Sequence, residues 1–155
     1  GVVQVLGEEY FTLLEASPLP DVEYNIRDRI FVGKGDRAKV GHILGRIRYE
    51  ELYSAGKDEL QAAVELVVQN NEGRFIGFIN DSQSLTPRMH SLELIPGIGK
   101  RLMFQILDLR ERFPFESFAD LKERANLPDP VKLISRRVIK ELSEDQKYYI
   151  FTRPL

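Results

Sequence analysis

The segment LELIPGIGKRLMFQIL, residues 92–107, interrupts an apolar helical pattern with one proline and two glycines, then resumes it behind Lys100 and Arg101. Proline lacks an N–H and its ring obstructs the preceding turn, so the first stretch has to end near Pro96. Gly97 and Gly99 allow the chain to reverse through conformations closed to other residues. Beyond the break, Leu102, Ile106 and Leu109 recur at helical spacing and predict a helix over 99–112. A tight reversal opening onto a helix start leaves about four N–H groups without an intrahelical acceptor, at the positive end of the helix dipole. The amides around Gly97, Ile98 and Gly99, supported by Lys100 and Arg101, are therefore candidate ligands for a phosphate. Leu94, Ile95 and Ile98 would anchor the turn in the core. Such a cradle grips backbone phosphate and ignores base identity. The alternative is an ordinary helix–helix turn with glycine caps.

The chain before the break divides by pattern. Residues 2–6 and 9–16 are rich in strand formers, 28–33 reads as a third short strand, and 40–49 as a fourth interrupted by glycines. Residues 34–39, KGDRAK, read as a polar turn. In the fourth strand Ile47 and Tyr49 face one way and Arg46 and Arg48 the other. Short strands with internal glycines predict a small, strongly curved sheet or barrel. Residues 57–71 carry Leu60, Ala63, Val64, Val67 and Val68 at helical spacing, and 72–80 continue as a short helix. Residues 81–87 form a polar connector, with Thr86 and Pro87 set to open a helix over 87–94. After the break come further helices over 118–125, capped by Ser117, and from Asp129-Pro130 to about 142. The tail 148–153 is strand-like. The expected organisation is α+β: a small N-terminal OB-like β-barrel over 1–56, connecting helices over 57–84, a helix-hairpin-helix domain over 85–145, and a tail, 146–155, docking on the barrel.

The two helical breaks align at an offset of 32, with Ile95-Pro96 over Leu127-Pro128, Leu102 over Ile134 and Ile106 over Val138. Two helical hairpins, each covering the other's apolar face, would produce this near-repeat. The second break, LPDPVK, has no glycine, and Asp129 would repel a phosphate, so only the first is expected to bind one.

Net charge is −2, but it is unevenly placed. Residues 1–84 balance at −5 and 85–155 at +3, and the window 27–48 reaches +5 through Arg27, Arg29, Lys34, Arg37, Lys39, Arg46 and Arg48. A patch of this kind can bind phosphates on an acidic molecule. Lys34 and Arg37 in the polar turn, with Arg46 and Arg48 on the following strand, are candidate backbone contacts, with Phe31 and Tyr49 as nearby aromatics. GKGDRAK lacks the GxxxxGK[ST] spacing, so nucleotide hydrolysis is not expected. His42 and His90 are isolated, no acidic grouping has metal-nuclease spacing, and no cysteine is present, so neither enzyme nor metal nor cofactor is expected. No apolar run approaches a membrane span. The first ten residues lack signal-peptide character and an initiating Met. A longer native N-terminus and a cytoplasmic location are the expectation.

LIPGIGKRLMFQIL resembles the helix-hairpin-helix motif of nucleic-acid-binding proteins. GEEYFTLLE, FVGKGDRAKVGHILGRIRYEEL and MHSLELIPGIGKRLMFQILDLRERFPFESFADLKER, in this order, resemble the archaeal family labelled domain of unknown function 655. That resemblance implies a nucleic-acid-binding protein, RNA before DNA, with a small β-barrel joined to helix-hairpin-helix elements, and carries no established activity. The functional expectation is sequence-nonspecific binding of structured RNA through its phosphates, in RNA processing or ribosome biogenesis, with ribosome-associated proteins as further partners. The alternatives are a protein-interaction adaptor whose hairpin is purely structural and a DNA-binding, repair-type module. Replacing Gly97 and Gly99 together by Val is expected to weaken binding to all sequences equally while leaving the fold largely intact.

Overall fold

The computed structural model describes residues 1–26 and 39–154. Two compact units emerge, one of residues 1–63 with 141–155, the other of residues 64–140. The strand expected over 28–33 and the turn residues Lys34 and Arg37 lie outside the described residues.

In the first unit β1 (Val3–Leu6), β2 (Leu13–Pro18) and β3 (Val40–Arg46) form an antiparallel sheet in the order β1-β2-β3. Val3 pairs with Ala16 and Leu6 with Leu13, and the Gly7 N–H donates to the Thr12 carbonyl at 2.7 Å to close that hairpin. Phe11, wholly buried, takes a left-handed conformation within the turn. The β2–β3 register slips on either side of Ala16, and Gly45 adopts φ +142° there.

The fold is α+β, but the expected OB-like barrel is corrected to a small three-stranded sheet. Closure would bring the outer strands together, whereas among the described residues β1 and β3 each pair only with β2. Of the glycines that suggested a barrel, Gly45 stands instead where the β2–β3 register slips. That strand stops at Arg46, and Tyr49–Glu51 form a 3-10 turn rather than more strand. The tail is also not a strand. Its amides are taken by the buried Glu141 carboxylate, which accepts from Ile150 N–H (3.0 Å), Phe151 N–H (3.1 Å) and both the N–H and hydroxyl of Thr152 (2.9 Å each).

Helices α1 (Ser54–Asn70) and α2 (Glu72–Asp81) follow the apolar periodicity. The second unit then departs from the sequence expectation. Residues 87–94 are not a helix. Strands β4 (Ser84–Thr86) and β5 (Met89–His90) form a two-stranded hairpin, and only Ser91–Leu94 coil, as one 3-10 turn. Thr86 does not cap a helix; its hydroxyl accepts from Arg88 N–H at 3.2 Å and shapes the hairpin turn around Pro87. Helices α3 (Lys100–Arg112) and α4 (Phe118–Ala125) follow, and α5 (Pro130–Ser143) closes the unit with its residues up to Lys140. Ser117 Oγ caps α4 through Asp120 N–H at 3.0 Å, and Asn126 ends it in the left-handed conformation. Phe75, Ile79, Leu92, Ile106, Leu121 and Ile134 are among the fully buried side chains. Among the described residues no helix is long and apolar enough to cross a membrane.

Candidate phosphate-binding turn

Between Leu94 and Lys100 the chain reverses over two buried side chains, Ile95 and Ile98. Pro96 leads into Gly97 at φ +93°, a conformation that any side chain would strain. A Cβ at Gly97 would stand 3.1 Å from Leu133 Cδ2, so α5 packs directly beneath this glycine. Gly99 differs. Its φ of −87° and ψ of −174° are those of an ordinary N-cap, and a Cβ there would meet nothing within 4 Å. Both glycines are solvent-exposed.

The amides divide accordingly. Ile98 N–H is used within the turn, donating to the Ile95 carbonyl at 3.0 Å, so it is not a free ligand as the sequence suggested. The first amide of α3 with an intrahelical acceptor is that of Met103, which donates to the Gly99 carbonyl at 2.9 Å. Those of Gly99, Lys100, Arg101 and Leu102 precede it and have no acceptor among the described residues. No side chain caps them, because the N-cap is glycine. Helix α5 shows the opposite arrangement. Asp129 Oδ1 accepts from Val131 N–H (3.1 Å) and Lys132 N–H (3.4 Å), so that helix start holds an anion of its own.

The two cations read from the sequence have different roles. Arg101 is exposed, with no ion-pair or hydrogen-bond partner among the described residues. Lys100 is instead a brace. Its ammonium donates to the Arg88 carbonyl (2.7 Å) and to Glu93 Oε1 (3.0 Å). Glu93, which sequence reasoning passed over, also accepts from His90 N–H at 2.8 Å, while His90 Nδ1 accepts from Leu92 N–H at 3.1 Å. This reciprocal capping locks Ser91–Leu94. The three-residue spacing of His90 and Glu93 was the sequence signal for it, obscured because histidine stands where serine or threonine is usual.

These bonds set the local ionisation. Burial pushes the His90 imidazole below its ordinary value, aided by the Arg110 guanidinium and opposed by Glu93 and the Ser82 carbonyl. The hydrogen bond from His90 N–H, followed by that from Lys100, holds the Glu93 carboxyl below the usual range. Glu93 is thus an anion near neutral pH, and its charge is answered by Lys100.

The remaining predicted contacts belong to the first unit. Arg46 donates from Nη2 to the Arg153 carbonyl, which fixes it to the tail. Arg48 is exposed at the start of the 3-10 turn, beyond the end of β3 and so not on a strand face with Arg46. The Lys57 ammonium lies 5.4 Å from the centre of the Tyr49 ring, a neighbour other than a base.

A family model described as "Protein of unknown function (DUF655)" matches residues 1–153. The uncharacterized protein MJ0038 of Methanocaldococcus jannaschii is 42% identical over 154 residues, covering 98% of this chain and 70% of its own length. The crystal structure of Af1531 from Archaeoglobus fulgidus superposes with a TM-score of 0.92 at 42% identity, covering 98% of this chain and 85% of that one.

Proposed function

Because this chain belongs to the DUF655 family, whose name assigns no activity, its function has to be read from its own residues, and we propose that it binds nucleic acid through backbone phosphates at the start of α3. One observation carries the reading: the N–H groups of Gly99, Lys100, Arg101 and Leu102 lie together at a helix start with no acceptor, side-chain cap or acidic occupant among the described residues. Backbone amides at a helix N-terminus suit a phosphate oxygen in geometry and in sign. The guanidinium of Arg101, exposed and without a partner among the described residues, adds a full charge. Binding of this kind holds register on a backbone and leaves base identity unread. The resemblance of residues 94–107 to a helix-hairpin-helix turn points to the same partner. The preference for structured RNA over DNA comes from the family resemblance alone.

The test is a fluorescence-anisotropy titration of a labelled RNA stem-loop across a salt series. Each phosphate that a lysine or arginine neutralises contributes about −0.7 to the slope of log K against log salt on a single strand and about −0.9 on duplex DNA, so affinity is expected to fall steadily as salt rises. A flat response, with no retention on heparin and no co-purifying nucleic acid, would overturn the proposal in favour of a protein-interaction adaptor.

A further inference from the structure

The contact between Gly97 and Leu133 brings α5 under the turn, and α5 carries an unexplained charge pattern. Lys132, Arg136 and Lys140 succeed one another at four-residue intervals on its solvent side, and all three are exposed. None has an ion-pair or hydrogen-bond partner among the described residues. Four-residue steps put the three cations about 6 Å apart along the helix axis, a line of about 12 Å. The acids of the same helix are already committed. Asp129 is held by the amides of Val131 and Lys132, and Glu141 is buried, bound to the tail. The exposed ionisable residues of α5 are therefore all of one sign, a costly arrangement for an isolated helix, where i,i+4 like charges repel.

Lys132 adjoins Leu133 in the chain and Arg136 follows it by three residues, so the line begins within one helical turn of the residue that supports Gly97. We propose that Lys132, Arg136 and Lys140 form a second phosphodiester contact line, so that a nucleic-acid backbone is engaged by the α3 start and by α5. The inference rests on the functional reading above only for the identity of the polymer; the line of cations is an independent observation. Over about 12 Å a duplex presents about seven phosphate charges, so three flexible cations find partners without precise register. Contacts of this sort contribute affinity and salt dependence rather than sequence selectivity.

The experiment compares the full chain with K132Q/R136Q/K140Q and with Gly99→Asp, each titrated with the labelled RNA stem-loop across a salt series and checked for folding by thermal melting. The triple variant is expected to melt like the wild type, to bind about tenfold or more weakly at low salt, and to lose about 2 to 3 from its salt slope. Loss of binding in Gly99→Asp with no change of affinity or slope in the triple variant overturns the α5 line and leaves the turn in place. Loss in the triple variant alone overturns the turn and supports α5. Unchanged binding in both overturns both. If poly-glutamate of equal charge competes as well as RNA, the assignment to nucleic acid falls.

Discussion

Lys100 Nζ lies 3.0 Å from Glu93 Oε1, and this pairing makes a residue that reads as a phosphate ligand into part of the scaffold. The lysine links α3 to the 3-10 turn before the break and, through the Arg88 carbonyl, to the β4–β5 hairpin. Its carboxylate partner lies in the 3-10 turn that leads into the break before the open amides. Glu93→Gln is therefore expected to strengthen RNA binding at low salt by about two- to fivefold, the size of a surface charge interaction. It removes one negative charge and frees Lys100, while the amide oxygen still accepts from His90 N–H. Anisotropy measurements on the variant check this, and weaker binding would refute it. Lys100→Met should reduce affinity less than Arg101→Met, because Arg101 has no competing partner among the described residues.

The two glycines of the turn are expected to respond oppositely to substitution. At Gly97 a methyl group meets Leu133 and a φ of +93°. Gly97→Ala should cost about 1–3 kcal/mol of stability, seen as a lower denaturation midpoint. The double Val change suggested by the sequence would thus perturb the fold along with the ligand site. Gly99 has room and an N-cap backbone. Gly99→Asp should match or exceed the wild type in stability by a few tenths of a kcal/mol, because aspartate caps better than glycine. The same carboxylate would occupy the α3 amides, as Asp129 occupies those of α5. RNA binding should then fall while the melting temperature holds, a combination that misfolding cannot produce.

Acidification is expected to weaken the second unit in two stages. His90 is only 6% exposed and its folded pKa is lowered by burial first. The unfolded chain, with an ordinary value of about 6.5, therefore takes up the proton first. Stability is full above that value and declines as pH falls from there toward the depressed folded value. Glu93 adds a second loss at lower pH: its contribution is present above the ordinary carboxylate value and disappears as pH falls through its own lowered one. Urea midpoints measured against pH should show both stages. His90→Asn retains a capping side chain without a titrating ring and should abolish the first stage alone.

Much of this fold was legible from pattern, and the failures share a cause. Leu60, Val64 and Val67 announced α1, Ser117 announced α4, and Asp129 with Pro130 announced α5, because each signal acts within one or two turns. The barrel misread Gly45, since a glycine in a strand signals a bend without saying whether the strands beyond it meet. The helix expected over 87–94 misread Thr86-Pro87, which suits a tight hairpin turn as well as a helix start. At the candidate site the glycines were visible, but the amide of Ile98 expected from them is used within the turn, and the amides without acceptors run from Gly99 to Leu102. The engagement of Lys100 was not visible, because it depends on the backbone of Arg88 arriving by way of a hairpin that periodicity does not reveal. Lys132, Arg136 and Lys140 drew no notice for a related reason: only the packing of Leu133 on Gly97 connects them with the turn.

Arg110, near the end of α3, holds the C-terminal end of α2. Its guanidinium donates to the Ile79 carbonyl (2.9 Å), the Ser82 hydroxyl (3.1 Å) and the Ser82 carbonyl (2.8 Å), satisfying acceptors at the C-terminal end of α2. A cation there also suits the negative end of the helix dipole. Arg110→Met keeps much of the apolar stem but strands partly buried carbonyls, so about 1–3 kcal/mol of stability should be lost in chemical denaturation. The same charge is the second cause of the lowered His90 pKa, after burial. Its removal should therefore raise the His90 value toward the ordinary one while burial still keeps it below. An NMR titration of the His90 ring should show that upward move in Arg110→Met. In the same variant the high-pH stage of acid destabilisation should shrink, because a smaller gap between folded and unfolded values leaves less stability to lose.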